Sequence, residues 1–287
     1  MEATDITDAV KELGSLKLPF ETHRYSAFEA SKMAFESRTI IPTGLPLIDK
    51  HLGGGELGEL ILVTGQEGVG KSSFGLWWAI TAAKKGTRVL YISTEDSAHR
   101  IGARLVSMGA DIDDRLARLV AAGVHKLSAE AEHRIADAQR RLESLPLWVS
   151  ALHTCTPDEA LREADRAASD GVQLIFVDYL NRLTSGQGET HIIIPGFVKD
   201  FEALSREHGF VPVVFQQLHP KRTPQDDYNK STARLKDSRA VADMSRIGIT
   251  LDREGDLLTA KMEKSTDGIS SALQRFKKVG GTFKEVI

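Results

Sequence analysis

The chain has 287 residues, 41% hydrophobic and 27% charged, enough apolar material for one large or two small globular domains and too much for a disordered coil. Lys and Arg number 37 against 40 Asp and Glu, so the net charge is −3; an overall basic nucleic-acid coat is excluded, a local basic groove is not. The single cysteine, Cys155, excludes a disulfide framework and a cysteine-built zinc site, and reads as an inert core thiol in a reducing compartment.

Residues 1–39 are polar and net acidic, with Ile6, Val10, Leu13 and Leu16 at helical spacing. They predict an N-terminal extension holding a short amphipathic linker helix, which packs on its own domain or docks on a neighbouring subunit. The N-terminus has acids and no apolar signal core, and the longest apolar run, 74–83, is too short to span a bilayer. A cytoplasmic chain without a membrane partner is expected.

From residue 40 to 287 one domain is expected, in which apolar strands alternate with helical stretches. The strands are 60–64, 88–94, 147–150, 173–178 and 211–217; the helices are 72–85, 97–107, 128–144, 157–169 and 195–207. This order predicts an α/β fold, a mostly parallel twisted sheet with helices on both faces. The nearly unbroken apolar runs LILVT, LIFVD and VPVVF suit central strands buried on both sides. After residue 247, three short stretches (IGITLDR, LLTAKME, LQRFK) separated by Gly255-Asp256 and Asp267-Gly268 predict an antiparallel extension at one edge.

The strongest motif lies between the first strand and its helix. Gly65-Gln66-Glu67-Gly68-Val69-Gly70-Lys71-Ser72 matches G-x-x-x-x-G-K-[ST] in full. Glycines let backbone N–H groups turn toward phosphate oxygens, and the helix N-terminus adds positive dipole. Lys71 supplies a mobile cation, and Ser72 a hydroxyl for Mg²⁺; Ser73 continues the set. The apolar strand ending in Asp178 places a second oxygen ligand for Mg²⁺ beside this loop. The strand RVLYIST runs into Glu95, a carboxylate able to polarise an attacking water, with Asp96 as the competing residue. Gln216 and Gln217 end a further core strand in amides that can contact a γ-phosphate.

With these strand ends assembled, the chain resembles the RecA-like ATPase domain of DnaB-type hexameric replicative helicases, including the helicase half of phage primase-helicases. The likeness runs from about Arg38 to Phe283. Ile41-Pro42-Thr43-Gly44-Leu45, Ile48-Asp49 and Gly53-Gly54-Gly55 resemble the family's lead-in to the phosphate-loop strand. Thr94-Glu95-Asp96-Ser97 resembles its catalytic-glutamate segment, Val177-Asp178-Tyr179-Leu180 its magnesium-binding strand, and Gln216-Gln217-Leu218 its sensor strand, which implies Gln217 as sensor. Leu235-Lys236-Asp237-Ser238 resembles its Leu-Arg-Glu-Ser segment, and Leu251-Asp252-Arg253 the place where an arginine packs on the nucleotide base.

The resemblance implies a six-membered ring that holds single-stranded DNA in its channel and hydrolyses ATP, or another NTP, between subunits with Mg²⁺; primase and other replication proteins become possible partners. Loops after Asp178 (181–194) and after Gln217 (219–239) should face the channel. The second carries Lys221, Arg222, Lys230, Arg234, Lys236 and Arg239 against Asp226, Asp227 and Asp237, a local +3 in a chain of net −3, as phosphate contact requires. Two departures stand out. Only about 39 residues precede the core, so no primase chemistry is expected, and ring assembly would rest on the ATPase domain and the N-terminal helix. The family's Lys-x-Arg pair, which reaches the neighbour's γ-phosphate, is met by Lys261 but by Glu263 where the arginine belongs; either Lys264 takes the role or Lys261 acts alone. The competing function is a RecA-like regulatory or recombination ATPase that binds DNA or a helicase partner without unwinding.

Overall fold

The computed structural model describes residues 26–33, 39–121, 123, 126–152, 155–183, 190–218, 239–265, 268 and 272–286. The chain divides between Arg38 and Thr39 into two units. The first contributes one described helix, α1 (Ala27–Met33), on which Lys32 lies over the Phe28 ring at 4.4 Å. The expected amphipathic helix around Ile6 to Leu16 lies outside the described residues.

The second unit is built on a nine-stranded sheet. Its strands are β3 (Ile61–Gly65), β4 (Val89–Ser93), β5 (Leu147–Ala151), β6 (Leu174–Asp178), β7 (Val211–Gln217), β8 (Ile247–Glu254), β9 (Leu257–Ser265), β10 (Leu273–Val279) and β11 (Thr282–Val286). They lie in the order β11-β10-β9-β8-β3-β7-β6-β4-β5. Pairs from β5 to β8 run parallel, and β8 to β11 form an antiparallel run. A separate ribbon pairs β1 (Ile40–Ile41) with β2 (Gly55–Glu56).

Side chains alternate between two apolar layers, as the period of a strand demands. On β6, Leu174 and Phe176 enter one layer and Ile175 and Val177 the other; on β4, Val89 and Tyr91 are split from Leu90 and Ile92 in the same way. The first layer is closed by α2 (Pro46–Leu52) and α3 (Lys71–Lys84), and the second by α7 (Pro157–Ser169), α8 (Thr190–His208) and α9 (Arg239–Met244). A satellite cluster joins α4 (Ala98–Ala110), α5 (Asp114–Ala121) and α6 (Ala129–Glu143) through Ala110, Ile112, Leu116, Ala131 and Ala138. Full burial of each large side chain, such as Phe74 or Phe176, contributes about 1.5–3 kcal/mol.

Local signals explain the helix starts. Ser97 and Ser128 cap α4 and α6, and Thr156 with Glu159 makes a capping box on α7. The lead-in segment anchors α3. Asp49 accepts from the N–H groups of Thr43 and Gly44 and pairs with Lys85 at 2.8 Å, while the Trp78 indole donates to Thr43 O at 2.7 Å.

The α/β architecture matches the sequence expectation, with differences of detail. The stretch IGITLDR, as β8, joins the two parts of the sheet: it pairs in parallel with β3, Leu62 opposite Gly248, and antiparallel with β9, opening the expected antiparallel extension. Helix α8 starts at Thr190, before Pro195. The donor that Pro195 lacks weakens one bond near the helix start, whereas Ile194, Phe197, Val198 and Phe201 are buried beneath it. The short elements β1, β2, β11, α2 and α5 were not evident in the sequence pattern. Cys155 is buried, and burial pushes its thiol up to about 11, in keeping with an inert role.

Candidate active site

Strands β3, β4, β6 and β7 end at one edge of the sheet, and their C-terminal residues converge on an open cleft of about 210 Å³. It is lined by Glu67, Gly68, Gly70, Lys71, Ser72, Ser73, Glu95, Arg104, Tyr179 and Gln217. Whole-ligand pockets are typically about 300–1,000 Å³, so this cleft is smaller than one that encloses an entire small molecule.

Gly68 and Gly70 take left-handed backbone angles, φ +75° and +103°, which side-chain-bearing residues rarely adopt. The loop they bend delivers the chain into α3, whose N-cap, Gly70, makes no side-chain cap. The N–H groups of the first turn therefore face the cleft without a side-chain acceptor, the condition under which a helix start binds anions. Lys71 Nζ donates to the carbonyls of Gly65 and Gln66 at 3.0 and 2.9 Å. Burial holds the Lys71 ammonium below the usual lysine range, opposed by the carboxylates of Asp178, Glu67 and Glu95.

Asp178 is 2% exposed at the end of β6. Its Oδ2 accepts from the Tyr91 hydroxyl at 2.5 Å, and the nearby Ser72 side chain helps to hold the carboxylate ionised. Its Oδ1 is buried with no hydrogen-bond partner among the described residues. Burial raises the Asp178 pKa against these hydrogen bonds and the charge of Lys71. The following Asp178–Tyr179 peptide is cis, and the Thr94 hydroxyl both accepts from Tyr179 N and donates to Tyr179 O.

Glu95 and Asp96 part company. Glu95 faces the cleft, half-exposed, and pairs with Arg182 at 3.0 Å. Asp96 is buried behind it, ion-paired with Arg104 and, at 3.7 Å, with Arg100. Of the two amides ending β7, Gln216 is fully buried and Gln217 lines the cleft, its Nε2 donating to Glu67 at 3.2 Å and its N–H to Asn181 Oδ1 at 3.1 Å.

Arg253 lies at the same sheet edge, near the end of β8, but its guanidinium donates to Gly255 O within its own hairpin and does not line the cleft. Lys261 is exposed on β9 and pairs with Glu263 at 3.6 Å. A bulge alters the spacing here: Ile249 stands opposite Met262 and Gly248 opposite Lys264, so Glu263 is the extra residue. Lys264 thus occupies the ladder position two places from Lys261, on the same face. Its ammonium donates to the carbonyls of Ala242 and Asp243 at 2.7 and 3.0 Å, at the C-terminal end of α9, and burial lowers its pKa.

Lys221, Arg222, Lys230, Arg234 and Lys236 lie outside the described residues; Arg239 opens α9. The site also contains residues that motif reading passed over: Arg104, Arg182, Asn181 and Tyr91. Strand alternation carried a signal for Tyr91 alone, since residues 89, 91 and 93 share one face of β4.

The family model for the DnaB-like helicase C-terminal domain matches residues 40–280. Over 234 residues the chain is 24% identical to the replicative DNA helicase DnaB of Leifsonia xyli subsp. xyli, covering 79% of this chain and 49% of that protein. The chain therefore spans about half the length of that relative. A separately solved ATPase domain superposes with a TM-score of 0.74 at 16% identity, over 98% of this chain and 99% of that one. A DnaB-like replicative helicase, solved with attention to its interactions with primase, superposes with a TM-score of 0.77 at 17% identity, over 98% and 72%. These superpositions establish the fold as that of RecA-like ATPase domains.

Proposed function

The chain belongs to the family of DnaB-like helicase C-terminal domains, and from that premise we propose that it is the ATP-hydrolysing core, residues 40–287, of a replicative DNA helicase. It acts as a ring on single-stranded DNA, with ATP at the interfaces between subunits. The observation that carries this is the convergence of Lys71, Ser72, Glu95 and Gln217 on one cleft beside the buried Asp178 carboxylate.

The donor set fits magnesium: the unpartnered Asp178 Oδ1 and the Ser72 hydroxyl are hard oxygens beside a phosphate-sized space. Ser72 and Asp178 would hold magnesium there, and the ion would supply positive charge against that of the phosphates. Lys71, freed from the Gly65 and Gln66 carbonyls, turns its charge onto the β- and γ-phosphates. Glu95 takes a proton from the attacking water, and Arg182 holds the carboxylate in place. Gln217 exchanges its bond to Glu67 for one to the γ-phosphate and passes the change to the loop that follows it. Arg253 packs on the base, and Lys261, with Lys264 beside it, reaches the neighbour's γ-phosphate.

The basic residues Lys221, Arg222, Lys230, Arg234, Lys236 and Arg239 grip the DNA backbone, and residues 1–39 link subunits. Primase or other replication proteins are the partners this assignment implies, in the cytoplasm of a bacterium or a phage-infected cell. Among the described residues no helix is long and apolar enough to cross a membrane. The test is strand displacement on a forked duplex with and without ATP. ATP-dependent unwinding supports the proposal; ATP hydrolysis with DNA binding but no unwinding would assign the chain to a regulatory or recombination ATPase instead.

A further inference from the structure

We infer that Tyr91 is a positioning residue for the magnesium-binding carboxylate, fixing the plane of Asp178 so that one oxygen is held and the other is offered to the metal; this rests on the ATPase assignment above. Tyr91 sits on β4 opposite Phe176 of β6, with Ser93 opposite Asp178, so alternation puts Tyr91 on the same sheet face as the carboxylate, beneath the start of α3. Tyr91 is 1% exposed, and its hydroxyl has two acceptors within reach: Asp178 Oδ2 at 2.5 Å and the Ser72 carbonyl at 3.4 Å. It therefore touches both chain segments that supply oxygens to the proposed metal.

A carboxylate at the end of a short side chain has a broad torsion, so its plane is free to turn. A buried phenol that must donate somewhere fixes that plane. It occupies Oδ2 and leaves Oδ1, buried and without a partner, as the acceptor for magnesium or its water. Hydrogen bonds of this kind orient metal ligands, and their loss weakens metal affinity by about 10–100-fold. The ring itself is held by packing: it lies 6.0 Å from the Phe176 ring, a contact that phenylalanine keeps.

The test uses the full chain carrying Tyr91→Phe. A fluorescent ADP analogue is titrated in EDTA and then, at fixed nucleotide, with magnesium; melting temperature is read in EDTA. The expected result is a magnesium half-saturation raised about tenfold, with affinity in EDTA close to wild type and melting lowered by a few degrees, since the buried carboxylate loses a donor. In an Asp178→Asn background, Tyr91→Phe should add nothing to the loss of magnesium response. An unchanged half-saturation would overturn the inference, as would an equal loss of affinity in EDTA, or a variant that does not fold, because each makes the hydroxyl merely structural. If wild type itself gains no affinity from magnesium, the metal-site assignment fails with it, and that result is distinct from a variant indistinguishable from a magnesium-responsive wild type.

Discussion

Replacing either of the adjacent acids after β4 by its amide should give opposite phenotypes. Glu95→Gln removes one exposed ion pair, Glu95 being 39% and Arg182 56% exposed in their side chains. Such pairs contribute about 0–1 kcal/mol, so the fold should be nearly untouched. The amide cannot take a proton from water, and turnover should fall by about 10²–10⁴ with nucleotide affinity retained. Asp96→Asn does the reverse. The Asp96 side chain is 7% exposed and neutralises Arg104, which is 27% exposed. Breaking a fully buried pair costs about 3–5 kcal/mol, and the partial exposure of Arg104 reduces this to about 1–3 kcal/mol. For a core of this size each kcal/mol lowers the melting temperature by about 2–4 °C. The assays are phosphate release at saturating MgATP, binding of a fluorescent ADP analogue, and thermal melting. Loss of turnover in Asp96→Asn with unchanged melting, alongside an active Glu95→Gln, would refute the assignment and move the strand end by one residue.

The Asp178→Asn change should abolish magnesium-dependent turnover yet raise the melting temperature at neutral pH. Burial raises the folded-state pKa of Asp178 above its unfolded value, so ionising it opposes folding. That destabilisation grows as pH rises from the unfolded toward the folded pKa, and is absent in acid; melting curves from pH 4 to 8 should show the variant's gain vanish at the acid end. Neutralising Lys221, Arg222, Lys230 and Arg234 together should weaken single-stranded DNA binding and flatten its salt dependence, with basal ATPase kept; an unchanged salt slope in a filter-binding titration refutes the phosphate-contact assignment. Lys264→Ala should lower the melting temperature, because the ammonium holds the last carbonyls of α9, whereas Lys261→Ala should lower only turnover that rises with protein concentration. Mixing Lys261→Ala with Glu95→Gln subunits should restore part of the activity at mixed interfaces; turnover per subunit independent of concentration would place the whole site in one chain.

What the sequence revealed and what it concealed follow from the range of the forces involved. The phosphate loop is local: two glycines, a lysine and a serine within eight residues specify a backbone path and a charge without help from elsewhere, and the strand before them is legible because it is apolar throughout. Asp178, Glu95 and Gln217 were legible for a related reason, since each ends or, for Glu95, closely follows a buried parallel strand, and parallel strands in register bring their C-termini to one edge. The partners of these residues were not legible. Arg182 reaches Glu95 from a 3₁₀ turn 87 positions later, Asn181 reaches Gln217 from 36 positions earlier, and Arg104 reaches Asp96 from two turns along α4. Nothing in a local pattern separates these side chains from solvated surface polar groups.

The Lys261 region shows how a count along the chain can mislead about charge. Read with the period of a strand, Lys261 and Glu263 share a face, and the position two places on from Lys261 is a carboxylate that would repel a phosphate. The bulge removes Glu263 from the ladder and puts Lys264 opposite Gly248, so the same geometric position is an ammonium. The extra residue brings an ammonium alongside the carboxylate without displacing it, since Glu263 still lies 3.6 Å from the Lys261 ammonium. Lys264 is not idle in that position, because α9 already claims it through Ala242 O and Asp243 O. Lysine lacks the guanidinium fork, so a trans site built on Lys261 and Lys264 stabilises the transferring phosphate less than an arginine would, and slow basal hydrolysis is its expected signature.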